Sequence, residues 1–180
     1  IDFWDSDVIA EGGNTYMYGR DAGGQSRAWD YQRRFPYWEA DEVVALSGNT
    51  LAVGIRLQAD EDGNEVRIYG RNHGGEEEWG RFVTIETPAG VTAADGFGGA
   101  LALDGDTLAV GPFIRRAQAN PSTLPEGGSV FIFKRNAGGA DAWGLVREIK
   151  LSFTFGARGF GSALVLSGDV LLVGAPGQSG

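Results

Sequence analysis

One phrase is written three times along this chain. "FGSALVLSGDVLLVGAP" runs from Phe160 to Pro176, "FGGALALDGDTLAVGP" from Phe97 to Pro112, and "ADEVVALSGNTLAVGI" from Ala40 to Ile55. The turn glycines of the three copies, Gly48, Gly105 and Gly168, recur about every 60 residues. A unit of this kind cannot bury its apolar faces alone and must stack on neighbouring units. Helical solenoids use shorter repeats with a 3.6-residue apolar period, which this sequence lacks.

A second marker follows two of the copies, and an earlier one precedes the first. "RNHGGEEEW" spans Arg71 to Trp79, "RNAGGADAW" spans Arg135 to Trp143, and "RDAGGQSRAW" spans Arg20 to Trp29. The segment "DSDVIAEG", Asp5 to Gly12, is a weaker relative of "SGDVLLVG". The repeat units are thus approximately 1–39, 40–96, 97–159 and 160–180, the last incomplete, within a single domain over 1–180.

Each unit reads as four strands. The first two, such as Val43 to Leu46 and Thr50 to Val53, are continuously apolar, which predicts strands covered on both faces. "SGN", "DGD" and "SGD" between them are hairpin turn signals. The third strand is aromatic ("TYMYGR", "EVRIYGR", "SVFIFKR"). The fourth starts at a tryptophan and alternates, as in "WGLVREIKL", so it is half exposed. Two buried inner strands, a mixed strand and a wetter outer strand describe a blade of a β-propeller. The expected fold is all-β, with four-stranded antiparallel blades and about three and a half blades present.

Composition narrows the function. Hydrophobic residues make up 42% of the chain, which suits a packed fold and not a disordered one. A formal net charge of -9 speaks against nucleic acid, which needs clustered cations. No apolar run reaches the roughly 18 residues of a membrane span. Zero cysteines remove disulfides, thiolate metal sites and cysteine nucleophiles. The chain starts at Ile1 with no signal peptide and reads as a processed or excised piece.

Phe160-Gly161 followed by Gly174-Ala175-Pro176 is the FG-GAP pattern, and Phe97-Gly98 with Gly111-Pro112 is a close copy. The chain resembles the FG-GAP repeats of secreted and cell-surface β-propellers, the group of the integrin α-subunit head, in its tight-turn branch. The first copy departs from the pattern, with Ala40-Asp41 in place of Phe-Gly. The resemblance implies a seven-bladed propeller, an extracellular or cell-surface location, and binding or adhesion. It also raises calcium, carried in that family by a DxDxDG loop between the first two strands. Here "LSGNTL", "LDGDTL" and "LSGDVL" leave room only for a tight hairpin, so those calcium sites are not carried over and no cofactor is expected.

Several groups are candidates for chemistry. Asp60, Asp62 and Asn64 in "ADEDGNEV" alternate as calcium ligands do, but no glutamate occupies the twelfth position; a solvated acidic turn is the plainer reading. His73, the only histidine, has Ala22 and Ala137 at the matching positions and reads as an exposed loop residue. Glu76, Glu77 and Glu78 read as a solvated face, because paired catalytic carboxylates must converge across a cleft. Trp29, Trp79 and Trp143 recur once per repeat, which argues for packing between units. Tyr37 and Trp38 in "FPYWEAD" are a candidate partner or sugar anchor, or further packing. The insertion 113–128, with Arg115 and Arg116, is the candidate recognition loop.

The expected role is a non-catalytic exported module that binds a protein or glycan. The alternative is a structural subunit of a filament, coat or large complex that self-associates through an open blade edge. A propeller hydrolase ranks third.

Overall fold

The computed structural model describes residues 14–20, 29–36, 43–55, 64–75, 78–91, 96–112, 128–151 and 157–178. These residues are all-β. Two compact units divide between Glu42 and Val43, and each is described by itself.

The first unit contributes β1 (Asn14–Arg20) and β2 (Trp29–Pro36), an antiparallel pair with Arg20 opposite Trp29 and a bulge between Met17 and Tyr18. Tyr18 and Tyr31 face each other across the pair, with ring centroids 6.0 Å apart in an edge-to-face arrangement. Such pairs are favoured by the ring quadrupoles.

The second unit holds two four-stranded antiparallel sheets. Sheet I is β3 (Val43–Ser47), β4 (Thr50–Ile55), β5 (Glu65–Gly75) and β6 (Glu78–Glu86), in that spatial order. Sheet II repeats the plan with β7 (Phe97–Asp104), β8 (Thr107–Pro112), β9 (Ser129–Arg135) and β10 (Trp143–Lys150). Then come β11 (Ala157–Arg158), β12 (Ala163–Ser167), β13 (Val170–Gly174) and β14 (Gly177–Gln178). β12 pairs with β13, and β11 with β14. The short β11–β14 pair was not foreseen from the sequence, because two residues carry no periodicity.

The strands form where the apolar pattern places them, and each inner pair closes through a two-residue turn. Ser47 lies opposite Thr50, Asp104 opposite Thr107 and Ser167 opposite Val170. Gly48, Gly105 and Gly168 open these turns with φ near +54°, a region costly for residues with a Cβ.

The inner pair β7–β8 has a bulky face and a small face. On β7–β8 the bulky face is Leu101, Leu103, Leu108 and Val110, packed with Ala52, Val66, Ile68, Phe97, Phe131 and Phe133 in a core between sheets I and II. Its small face, Ala102 and Ala109, packs with Val130 and Phe160 in a second core, against Leu164, Leu166, Leu171 and Val173 of β12–β13. Sheet II is thus covered on both sides, and Leu108, Ala109 and Val110 are fully buried. Full burial of a Leu or Val side chain stabilises by roughly 1.5–3 kcal/mol.

The expectation that every inner strand is covered on both faces fails at β3, β12 and β13. Val44 and Leu46 of β3 are 46% and 57% exposed, and Val165, Val170 and Leu172 are 59%, 61% and 62% exposed. Their sequences match those of β7 and β8, so the apolar pattern alone does not report which strands are covered.

Candidate functional site

The repeated motif residues have specific packing tasks. Phe97 is buried between the sheets, edge-on to Phe131 and Phe133 at 5.7 and 6.0 Å. Phe160 takes the matching place in the second core, beside Val130 and Ala109. Gly98 and Gly161 both have φ of +90°, and their carbonyls point back at the preceding sheet. A Cβ on Gly54 would lie 2.0 Å from the Gly98 oxygen, and one on Gly111 would lie 2.1 Å from the Gly161 oxygen. The Phe-Gly of one unit therefore docks on the second-strand glycine of the unit before it. Gly174 is that glycine in the last copy; the nearest atom to its Cβ position is the Ala163 Cβ of its own hairpin, at 3.1 Å. Pro112 lies opposite Phe97 at the end of β8, with its Cδ 2.8 Å from the Cβ position of Gly161. Ala175 packs at the margin of the second core, and Pro176 is exposed beyond β13.

The tryptophan marker closes the outer hairpin. Trp143 is buried in the core between sheets I and II, although its indole Nε1 has no hydrogen-bond partner among the described residues. Trp79 is half-buried at the matching position, and Trp29 lies opposite Arg20 on β2. The glycine after Trp79 and the one after Trp143 let the loop fold back. A Cβ on Gly144 would meet the Ala137 oxygen at 2.1 Å, and one on Gly80 would meet the His73 carbonyl carbon at 2.5 Å. Asn136, with φ of +64°, accepts the Asp141 N–H at 2.9 Å through its side-chain oxygen. Asn is among the residues that tolerate this conformation.

His73 lies on β5 rather than in a free loop. Its exposed ring stacks on Phe82 at 4.3 Å. Arg135 sits 5.9 Å from the same Phe82 ring and binds Asp141 at 2.6 Å. Sequence reading missed this cluster because it joins residues of two sheets. Burial pushes the Tyr69 hydroxyl above its ordinary value, with Arg81 opposing. The Ser129 hydroxyl holds Glu148 below the usual carboxylate range, helped by Lys150 at 3.1 Å.

Of the candidate calcium ligands, Asp60 and Asp62 lie outside the described residues. Asn64 is buried, and its backbone carbonyl accepts the Thr87 hydroxyl. No group of three or more His, Asp or Glu side chains is placed to hold a metal ion among the described residues. Tyr37, Trp38, Arg115 and Arg116 also lie outside the described residues, as do Glu76 and Glu77; Glu78 is exposed at the start of β6. No helix among the described residues is long and apolar enough to cross a membrane.

One recurrent contact was unforeseen. Ser47 Oγ accepts the N–H of Gly105 at 3.0 Å, and Asp104 Oδ2 accepts the N–H of Gly168 at 2.6 Å. The residue before each turn glycine thus ties its own turn to the turn of the next unit. Ser167 holds the same position in the third copy. The signal was present in the sequence as Ser, Asp, Ser before the turn glycine, but turn chemistry alone already accounted for these residues.

An apolar surface is exposed on β12–β13. Val165 pairs with Leu172 and Ser167 with Val170 on the exposed face of β12–β13. Comparison with protein-family models, with curated proteins and with solved structures gives no match to this chain.

Proposed function

We propose that the chain is part of a β-propeller of the FG-GAP kind, acting as a non-catalytic exported module that binds a protein or glycan at the cell surface. The observation that carries this reading is the reuse of one interface. Phe-Gly on glycine, bulky face on small face and turn on turn join sheet I to sheet II, and join sheet II to β12–β13. That is how blades stack around an axis. The motif residues are committed to this packing, so recognition falls to segments that differ between units. The insertion 113–128, with Arg115 and Arg116, is foremost among them.

The test is a screen of the protein against immobilised glycans and extracellular proteins, repeated with Arg115→Ser/Arg116→Ser. Binding that falls at least tenfold in the double variant, with an unchanged circular dichroism spectrum, supports the reading. A protein that binds nothing in either set, or binds equally well without the arginines, refutes the assignment to this loop. The exposed face of β12–β13 favours a second reading, a structural subunit whose last sheet is completed by a neighbouring chain.

A further inference from the structure

Of the three turn glycines, Gly105 alone follows an aspartate; Ser47 and Ser167 stand before Gly48 and Gly168. An Asp–Gly step carries chemistry that a Ser–Gly step does not. The glycine nitrogen attacks the aspartate Cγ, and a residue without a Cβ offers little hindrance to the approach. The space beside Gly105 is open. A C–N bond forms, the carboxyl OH and the N–H proton leave as water, and the product is a five-membered succinimide. Hydrolysis returns the water. Opening at Cγ restores aspartate, and opening at the main-chain carbonyl gives isoaspartate. No oxidant, reductant or cofactor enters.

Both reacting groups are held in the folded protein, and by different neighbours. The Gly105 N–H donates to Ser47 Oγ of sheet I at 3.0 Å. Asp104 Oδ2 accepts the Gly168 N–H, in the turn of β12–β13, at 2.6 Å. Sheet I and β12–β13 pack on the two faces of sheet II. The nucleophile is therefore held toward one neighbour and the electrophile toward the other. We propose that Asp104–Gly105 is a covalent modification site, a self-cyclising pair that the turns on either side keep unreacted and that passes through succinimide to isoaspartate when those turns part. Two other Asp–Gly steps, Asp62–Gly63 and Asp95–Gly96, lie wholly or partly outside the described residues.

The reaction removes the contacts that restrain it. Succinimide has neither the Gly105 N–H nor the Asp104 carboxylate, so both ties are lost in one step. Isoaspartate routes the main chain through the side-chain methylene and so adds one backbone atom to a turn closed by Asp104 opposite Thr107. Hairpin register is fixed by turn length, so the added atom works against that pairing. Parting of the turns permits the reaction, and the reaction keeps them parted. All the residues involved belong to the second unit, and the inference does not depend on the propeller reading.

The full chain is kept at neutral pH, either folded or unfolded in urea, and then digested. Isoaspartate at position 104 is measured by chromatography and mass spectrometry. The folded chain is expected to react more slowly by about tenfold or more, since two hydrogen bonds must open first. Ser47→Ala removes the acceptor of the Gly105 N–H and is expected to speed the folded-state reaction about two- to tenfold, with an unchanged circular dichroism spectrum. Ile85→Val is the control. Ile85 lies level with Val66 and Gly54, at the end of sheet I away from its inner turn. This substitution costs about as much stability as one hydrogen bond and is expected to leave the rate unchanged. Asp104→Ser cannot cyclise and keeps an acceptor for Gly168. Exchange of the Gly168 amide is expected to quicken as the wild-type protein ages and to stay constant in Asp104→Ser. A folded chain that reacts as fast as the unfolded one overturns the proposal, as does a Ser47→Ala protein no faster than wild type. Equal acceleration by Ile85→Val would route the reaction through global unfolding and overturn it too.

Discussion

A Cβ at Gly111 would meet the Gly161 carbonyl oxygen at 2.1 Å, whereas at Gly174 it would meet only the Ala163 Cβ at 3.1 Å. A backbone carbonyl cannot swing aside as a flexible side chain can. Gly111→Ala is therefore expected to destabilise the protein by about 1–3 kcal/mol, as overpacking of a tight site does. Gly174→Ala is expected to cost clearly less. Urea midpoints of the two variants check this, and equal losses would refute the docking of Phe-Gly on glycine. At this scale the sequence was legible in part. Gly111 and Gly174 were visible as motif residues, and Trp143 as a packing residue. Their partners were not, because Gly161 lies some 50 residues from Gly111 along the chain. The stacking of His73 on Phe82 under Arg135 was not legible either, since His73 has no repeat counterpart to mark it.

The strands followed their apolar pattern, and the turns followed their glycines. What the pattern did not convey is how one hairpin recognises the next. The bonds from Gly105 to Ser47 and from Gly168 to Asp104 fix the stagger between successive turns. A net hydrogen bond contributes about 0.5–1.5 kcal/mol, and one to a charged acceptor about 1.5–3. Exposure to solvent places Asp104 toward the lower end of that scale. Asp104→Ala is expected to cost about 1 kcal/mol in urea unfolding. The Asp106 carboxylate, two residues on, lies 4.0 Å from Arg135, and Asp106→Ala is expected to cost less. Equal effects would remove the turn-to-turn bond as a source of stability.

Within the second unit, burial differs sharply between strands of matching sequence. Leu108 and Val110 of β8 have no exposure, while β12 and β13 bury one face only. Amides there should exchange hydrogen at different rates, because local opening is cheap where few apolar contacts must be broken. Residues 108–110 are expected to exchange only through global unfolding and residues 170–173 much faster at micromolar concentration. Uniform exchange across both strands would refute the layered account.

The sequence by itself determined the all-β class, the position of nearly every inner strand and the turn residues, because alternation, apolar runs and turn glycines are local properties. Only the tertiary structure decided which face of each hairpin meets which neighbour, why the motif positions must be glycine, and which faces are left bare. Those depend on contacts between residues distant in the chain. β13 shows the division most plainly. Its sequence is that of a buried inner strand, yet its Val170 and Leu172 are exposed.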